Sequence, residues 1–244
     1  MKVEFIPIKT RVVNPPKDEI FDILDGLSLQ DGDIVFITSK ILALHQGRSV
    51  KMGGVTKEEL IKQEADMWLP YENKSDGWYG NLTITNNILI PCAGIDESNA
   101  NGHYILWPKD VDDLCRQIRA RLMEKNGVAR LGVVSTDSHS MPLRRGVTGI
   151  TTGLAGIEPL RDIRGEKDIF GRATQTVRIN LIDPLAAMAV LFMGEGAEQI
   201  PIVILRGWDK IKFCESRGME DFKIPLEADI YQPLLEVMKS GGSK

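Results

Sequence analysis

The chain has 244 residues and carries 30 Lys and Arg against 34 Asp and Glu, a formal net charge of −4. Its 43% hydrophobic and 26% charged residues are typical of a globular protein. The weak acidity argues against a nucleic-acid coat or a polybasic membrane binder. The longest apolar run, Leu185 to Met193, is far shorter than the roughly 20 residues of a membrane-spanning helix. With no signal peptide and no CxxC pair, the sequence predicts a cytoplasmic protein with free thiols.

The first half of the chain alternates short apolar runs with helical patterns. Ile20, Phe21, Leu24 and Leu27 share one helical face, and Asn86-Asn87 favours a tight turn because Asn tolerates positive φ. The patterns predict a strand over 3–8, a helix over 17–27, a buried strand over 34–38, a helix over 57–69, a loop over 71–81 and a hairpin with strands 82–85 and 88–90.

The second half continues without a strict strand–helix–strand rhythm, which favours an α+β fold with mixed sheets and flanking helices. Asp110 is placed to cap a helix that Asn126-Gly127 ends, and Pro184 suits the first turn of a later helix. The patterns predict helices over 111–125, 184–193 and 230–239, a buried strand over 131–135 that runs into Thr136-Asp137, a half-exposed strand over 177–181, and a buried strand over 200–205.

Three acidic residues lie in loops next to glycines or at the end of a buried strand, where functional side chains are often found. Asp96 follows Gly94-Ile95, Asp137 follows a buried strand, and Glu195 lies between two glycines at a helix end. Together with neighbouring oxygens such as those of Ser138 and Asn99, carboxylates are hard ligands for Mg²⁺ or Mn²⁺. The alternative is that each is an ordinary turn acid, and the sequence alone does not show that the three converge.

The glycine-bearing segment 193–201 follows a helix and lacks the Gly-Lys-Ser/Thr ending of a Walker A loop. Its Glu195 and Glu198 would repel phosphates, so a nucleotide could approach them only with divalent metal between. The plainer interpretation is a helix cap. Downstream of Asp137, Arg144 and Arg145 could bind phosphate or carboxylate, or form a solvated basic turn. No Gly-x-Ser-x-Gly elbow surrounds Ser138 or Ser140, which argues against a serine hydrolase.

A set of motifs spread over the first 210 residues resembles the coenzyme F420-0:L-glutamate ligase family, the CofE-type γ-glutamyl ligases. They occur in the family's order, and the combination is specific although each piece alone is not. The matching stretches are 31–35, 38–40 with Gly47-Arg48, 93–99, 136–138 leading to 144–146, 167–172, 193–196 and 200–207.

The resemblance implies a two-part CofE-like fold that forms an intertwined homodimer. Residues 1–210 would form the ligase-like domain, built of two interwoven subdomains, and residues 211–244 a C-terminal structural extension. It also implies that GTP phosphorylates a substrate carboxylate and that the amine of L-glutamate then displaces phosphate from the acyl phosphate. The implied cations are Mg²⁺ or Mn²⁺, two of them, with K⁺ as a further candidate. The default acceptor is F420-0, and a folate or another carboxylate is the alternative.

The resemblance also assigns residues. The cation ligands would be Asp96, Asp137, Ser138 and Glu195. The nucleotide contacts would be Arg11, Ser39, Lys40, Asn99, Met193, Gly194, Gly196, Ala197, Glu198, Gln199 and Ile200. Asp137, Arg144 and Arg145 are the candidate catalytic residues. That the two arginines hold acid or phosphate groups of the substrate is inferred from guanidinium chemistry and is not part of the resemblance.

The sequence departs from the family pattern at a few positions. The family typically carries a second Ser-Lys where this chain has Ala43-Leu44, so that lysine contact is either absent or supplied by Lys40. Ser138 stands where the family usually has Thr and keeps a hydroxyl ligand, and Asp183 precedes Pro184 where Glu is usual. The missing lysine leaves a second hypothesis open: a nucleotide-binding homologue without ligase activity.

Overall fold

The computed structural model describes residues 2–73, 78–215 and 217–243. Its strands are β1 Glu4–Ile8, β2 Asp33–Thr38, β3 Ser49–Lys51, β4 Met67–Asn73, β5 Trp78–Thr85, β6 Ile88–Pro91, β7 His103–Ile105, β8 Leu131–Ser140, β9 Val147–Ala155, β10 Leu160–Asp162, β11 Arg178–Asn180, β12 Ile202–Arg206 and β13 Gly242–Ser243. Its α-helices are α1 Phe21–Asp25, α2 Ser39–His45, α3 Lys57–Glu64, α4 Val111–Asn126, α5 Ile182–Met193 and α6 Gln232–Leu235. Short 3₁₀ segments span Cys92–Gly94, Gly218–Asp221, Leu226–Ala228 and Glu236–Ser240.

A five-stranded sheet in the order β1-β12-β2-β8-β9 forms the centre of the fold. β2 and β8 run parallel, and the other neighbours are antiparallel. Alternate residues of β2 enter two different cores: Val35 and Ile37 pack on the side of α4, whereas Ile34 and Phe36 pack on the side of α5. Because helices cover both faces, the central strands are apolar without alternation, which is why their sequences are continuous hydrophobic runs.

Smaller sheets flank this centre. β13, β4, β5 and β6 form an antiparallel sheet of four strands, and β3–β7 and β10–β11 form two-stranded sheets. This mixture of sheets and helices agrees with the predicted α+β class. The intertwined homodimer and the division at residue 210 stay predictions.

Several local predictions are confirmed. The β5–β6 hairpin turns at Asn86 and Asn87, whose φ angles are 52° and 66°. α4 ends at Gly127 in the left-handed conformation, and α5 ends at Gly194. The apolar stripe predicted for α4 is buried as a whole: Val111, Leu114, Cys115, Ile118 and Leu122. Local turn chemistry and helical periodicity therefore determine these elements.

Other local predictions are wrong. The helix predicted over 57–69 stops at Glu64, and the chain continues as β4. The loop predicted over 71–81 is instead occupied by parts of β4 and β5, and residues 74–77 of that prediction lie outside the described residues. β4 and β5 pair antiparallel from Met67 opposite Ile84 onward. The segment from Met67 to Asn73 is a strand because it pairs with β5, and no pattern in the local sequence predicts this pairing.

The remaining differences concern the ends of elements. α1 covers five residues rather than the predicted 17–27, and the last predicted helix divides into α6 and a 3₁₀ turn. Asp110 precedes α4 with a φ of 47°, and its side chain makes no capping hydrogen bond. β8 does not end at Ser135 but continues to Ser140, because β9 pairs with it along that length. None of the helices among the described residues is long and apolar enough to cross a membrane.

Candidate active site

A cleft of about 450 Å³ opens where β2 and β8 leave the central sheet. Segments from distant parts of the chain surround it: residues 10–13 after β1, the start of α2, the loop after the first 3₁₀ turn, β8, and the loop between α5 and β12. Every residue predicted to contact a nucleotide or a cation lines this cleft: Arg11, Ser39, Lys40, Asp96, Asn99, Asp137, Ser138, Met193, Gly194, Glu195, Gly196, Ala197, Glu198, Gln199 and Ile200. The structure therefore brings the three acidic loops together.

Asp137 reaches the cleft because β2 and β8 are parallel neighbours. Thr38 pairs with Thr136, so the next residues, Ser39 and Asp137, emerge side by side. The Ser39 hydroxyl donates to Asp137 Oδ2 at 2.9 Å, and the backbone N–H of Ser138 donates to Oδ1 at 2.8 Å. The indole N–H of Trp107 also donates to Oδ2.

The surroundings of Asp137 shift its ionisation. Burial raises the pKa of Asp137 to about 6, although the hydrogen bonds from Trp107, Ser138 and Ser39 favour the charged form, and the negative charge of Asp96 adds to the rise. A carboxyl with this pKa is ionised at neutral pH at an energetic cost to the fold. A perturbed acid in a cleft is a common feature of functional sites.

Asp96 is held by its backbone and by Lys40. Its backbone N–H and C=O pair with Ile105, and its carboxylate lies 2.5 Å from the Lys40 ammonium. Oδ1 also accepts the N–H and hydroxyl of Ser98, at 3.0 and 2.9 Å. Burial alone would raise the pKa of Asp96, but the Lys40 charge and the hydrogen bonds from Lys40 and Ser98 outweigh it and lower the pKa. Asp96 is thus a charged group facing the cleft.

The α5–β12 loop carries Glu195 and folds on itself. Glu198 accepts the backbone N–H of Gly196 at 2.8 Å, and the Asn99 amide donates to the Gly196 carbonyl at 2.8 Å. Burial raises the pKa of Glu195, against a hydrogen bond to Ser138 that lowers it, and the charge of Asp96 adds to the rise. The Asn99–Gly196 hydrogen bond connects the loop to the segment that carries Asp96.

The arginines are placed differently. Arg11 lines the cleft, but its guanidinium is bound by Asp18 and Asp22, which raise its pKa. Arg144 and Arg145 lie in the exposed turn between β8 and β9 and do not line the cleft. The structure therefore does not bring the arginine pair to Asp137. That the two arginines hold acid or phosphate groups of the substrate stays a prediction. They lie at the tip of the β8–β9 hairpin, away from the cleft.

Sequence reasoning missed Trp107. It lies 11 residues after Asp96, just beyond β7, with no motif around it that marks it as functional. Thr10 was missed as well; its backbone N–H donates to the Gln199 carbonyl at 3.0 Å and closes one end of the cleft. Only the folded chain shows these contacts.

The donor set suits a hard divalent cation. Asp96, Asp137 and Glu195 face one cleft, and the charge of Asp96 raises the pKa values of the other two, so a cation there would offset this repulsion. Within the described residues, no group of three His, Cys, Asp or Glu side chains is arranged to hold a metal ion by itself. The three acids fit a cation by the chemistry of their oxygens and by lining one cleft.

Comparison with known proteins gives a consistent family assignment. The family model for F420-0:gamma-glutamyl ligase matches residues 7–207. The chain therefore belongs to the F420-0:gamma-glutamyl ligase family. Coenzyme F420:L-glutamate ligase of Methanothermobacter thermautotrophicus is 37% identical to it over 221 aligned positions, which cover 85% of this chain and 87% of that protein. The enzyme of the same name from Methanocaldococcus jannaschii is 29% identical over 250 positions, 95% of this chain and 97% of that protein.

The family match includes the whole cleft, whose lining residues run from Thr10 to Pro201. The predicted resemblance to F420-0:gamma-glutamyl ligases is thus confirmed, as is the prediction that this is a ligase family. Leu44, where the resemblance predicts a lysine, is 1% exposed within α2. Lys40, one turn earlier on α2, lines the cleft and pairs with Asp96.

Proposed function

We propose that this protein is a metal- and GTP-dependent γ-glutamyl ligase that adds L-glutamate to a carboxylate of F420-0 through an acyl phosphate. The observation that carries the proposal is the convergence of all predicted nucleotide and cation residues on one cleft, in a chain of the F420-0:gamma-glutamyl ligase family. The relatives named coenzyme F420:L-glutamate ligase support this choice of acceptor.

In the proposed reaction, a carboxylate oxygen of the acceptor attacks the γ-phosphorus of GTP and GDP leaves. The amine of L-glutamate then attacks the acyl carbon, the new amide forms, and phosphate and a proton depart. The first step needs the triphosphate, and the second the acyl phosphate, close to an acidic cleft. Divalent cations on Asp96, Asp137, Ser138 and Glu195 would neutralise phosphate charge there.

The chain's own residues position the nucleotide in this proposal. The α5–β12 loop is closed by the Glu198–Gly196 and Asn99–Gly196 hydrogen bonds, so its shape is set before a ligand arrives. Lys40 holds a positive charge beside Asp96 in the same cleft as this loop. A preformed loop and a fixed ammonium lower the entropy lost when the triphosphate binds.

The decisive experiment is a turnover assay with mass detection. The purified protein is incubated with Mn²⁺, L-glutamate, and GTP or ATP, together with F420-0 or a folate. The proposal expects a glutamate-sized mass increment on F420-0 and stoichiometric phosphate release with GTP. An increment only on the folate would transfer the chemistry to that acceptor. Nucleotide binding without phosphate release or any increment would instead favour the non-catalytic homologue.

The raised pKa of Asp137 gives a pH-dependent prediction. With a pKa of about 6, the carboxyl of the metal-free protein is ionised at pH 8 and about half protonated at pH 6. Because a cation binds only the ionised form, Mn²⁺ binding should release about half a proton from Asp137 at pH 6 and almost none at pH 8.

Calorimetry in two buffers of different ionisation enthalpy measures this release. We expect the binding heat to depend on the buffer at pH 6, and this dependence to weaken at pH 8 and in Asp137→Asn. Buffer-independent heats at pH 6 would contradict the assignment of Asp137 as a cation ligand.

A further inference from the structure

We propose that Trp107 is a positioning residue of this site, whose indole N–H makes Oδ2 of Asp137 a permanent hydrogen-bond acceptor and leaves Oδ1 as the oxygen for a cation. The inference rests on the proposed function, because it assumes that Asp137 binds a cation. Nothing in the motifs of the chain marks Trp107, and the assignment comes from its contacts.

The two oxygens of Asp137 have different partners. Oδ2 accepts from the Ser39 hydroxyl and from the Trp107 indole, which together use both of its lone pairs. Oδ1 accepts the Ser138 backbone N–H and keeps a second lone pair. The Ser39 hydroxyl could turn and accept instead, whereas an indole N–H only donates. Trp107 is therefore the side chain that fixes the orientation of the carboxylate, with one oxygen toward the indole and the other free for a cation.

The indole itself is held firmly. Trp107 is 5% exposed and packs against Ile88 and Ile90 of β6 and Ile150 of β9. Its carbonyl accepts the Arg48 guanidinium N–H at 3.0 Å. A donor fixed by two neighbouring strands and a backbone contact keeps its direction when the acceptor's charge changes.

Gly94 completes the arrangement. It has a φ of +69°, and a Cβ atom on it would overlap Nε1, Cε2 and Cδ1 of Trp107. The missing side chain thus gives the indole the space from which it reaches Asp137. This is a specific reason for glycine in the Ala93–Asn99 motif, besides its turn conformation.

The fixed donor matters because Asp137 lies near like charges. Asp96 lines the same cleft, so an unrestrained Asp137 carboxylate would turn away from this like charge. Residues that orient a metal ligand typically change metal affinity or activity by about 10- to 100-fold when they are replaced. We expect an effect of this size from the loss of the indole N–H.

The test compares two Trp→Phe variants. Trp107→Phe removes the N–H that Asp137 accepts. Trp208→Phe is the matched control, since the buried Nε1 of Trp208 has no hydrogen-bond partner among the described residues and Trp208 lies outside the cleft. Free Mn²⁺ is measured by electron paramagnetic resonance without nucleotide, and kcat and KM for glutamate are measured with GTP and F420-0.

We expect Trp107→Phe to bind Mn²⁺ about 10- to 100-fold more weakly and to lower kcat with an unchanged KM for glutamate, while Trp208→Phe behaves as the wild type. Equal Mn²⁺ affinity in the two variants would overturn the role of Trp107 and leave the proposed function standing. A wild-type protein that neither binds Mn²⁺ nor forms product would overturn both.

A second variant guards against a loss of folding. Benzothienylalanine at position 107 replaces the indole N–H by sulfur and keeps the shape of the ring. If the analogue has the melting temperature of the wild type yet binds Mn²⁺ as weakly as Trp107→Phe, the loss of the N–H causes the weaker binding. Wild-type affinity in the analogue would assign the defect of Trp107→Phe to packing and overturn the proposal.

Discussion

Asp137→Asn is expected to lower the rate of glutamate addition by at least about 10²-fold at neutral pH, because it removes a charged ligand from the centre of the cleft. Asn has nearly the same shape and can still accept from Ser39 and Trp107 through its carbonyl oxygen. Its amide nitrogen, however, offers no anionic oxygen to a cation. The measurement is kcat with GTP, Mn²⁺ and F420-0, together with Mn²⁺ affinity by calorimetry.

Asp112→Asn is the matched control for this substitution. Both oxygens of Asp112 accept backbone N–H groups, from Leu154 at 2.9 Å and Met219 at 2.8 Å, and Asp112 lies outside the cleft. It should lose stability but keep its turnover at a permissive temperature. Wild-type turnover in Asp137→Asn would remove the proposed cation mechanism, whereas equal losses in both variants would assign the effect to folding.

Arg206→Met is expected to lower the free energy of unfolding by about 3–5 kcal/mol, because it leaves a buried carboxylate without its cation. Asp33 is 1% exposed at the start of β2, and Arg206 at the end of β12 donates to both its oxygens, at 2.9 and 2.7 Å. The methionine retains most of the apolar stem, so the lost charge dominates the change. Urea denaturation at neutral pH measures the effect.

Lys212→Met provides the comparison, since it also removes one positive charge from an ion pair. Lys212 pairs with Glu158 at 2.7 Å, but their side chains are 74% and 40% exposed. Water screens an exposed pair of this kind, so Lys212→Met should leave the free energy of unfolding nearly unchanged. The burial argument would be contradicted if both variants lost the same stability. Arg206 lies outside the cleft, so the turnover of folded Arg206→Met should match the wild type.

Much of the candidate site could be predicted from the sequence, because its residues occur in motifs that local chemistry marks. Asp96 follows a glycine turn, and Glu195 lies in a glycine-flanked helix end. The motif order then suggested the family, which the match over residues 7–207 confirms. Trp107 could not be predicted in this way. It contacts an acid 30 residues away in the chain, and only the parallel pairing of β2 and β8 presents that acid to it.

The sequence by itself determined the elements whose cause is local: the Asn86-Asn87 hairpin, the buried stripe and glycine end of α4, and the apolar runs of the central sheet. Turn preference and periodicity act within a few residues and are visible in any window. The tertiary structure alone decided that β4 is a strand, that β8 continues past Asp137, and that the acidic loops share one cleft. Each of these depends on contacts between segments that are distant in the sequence. The stability of such a contact depends on the residues of both segments, so neither segment alone predicts it.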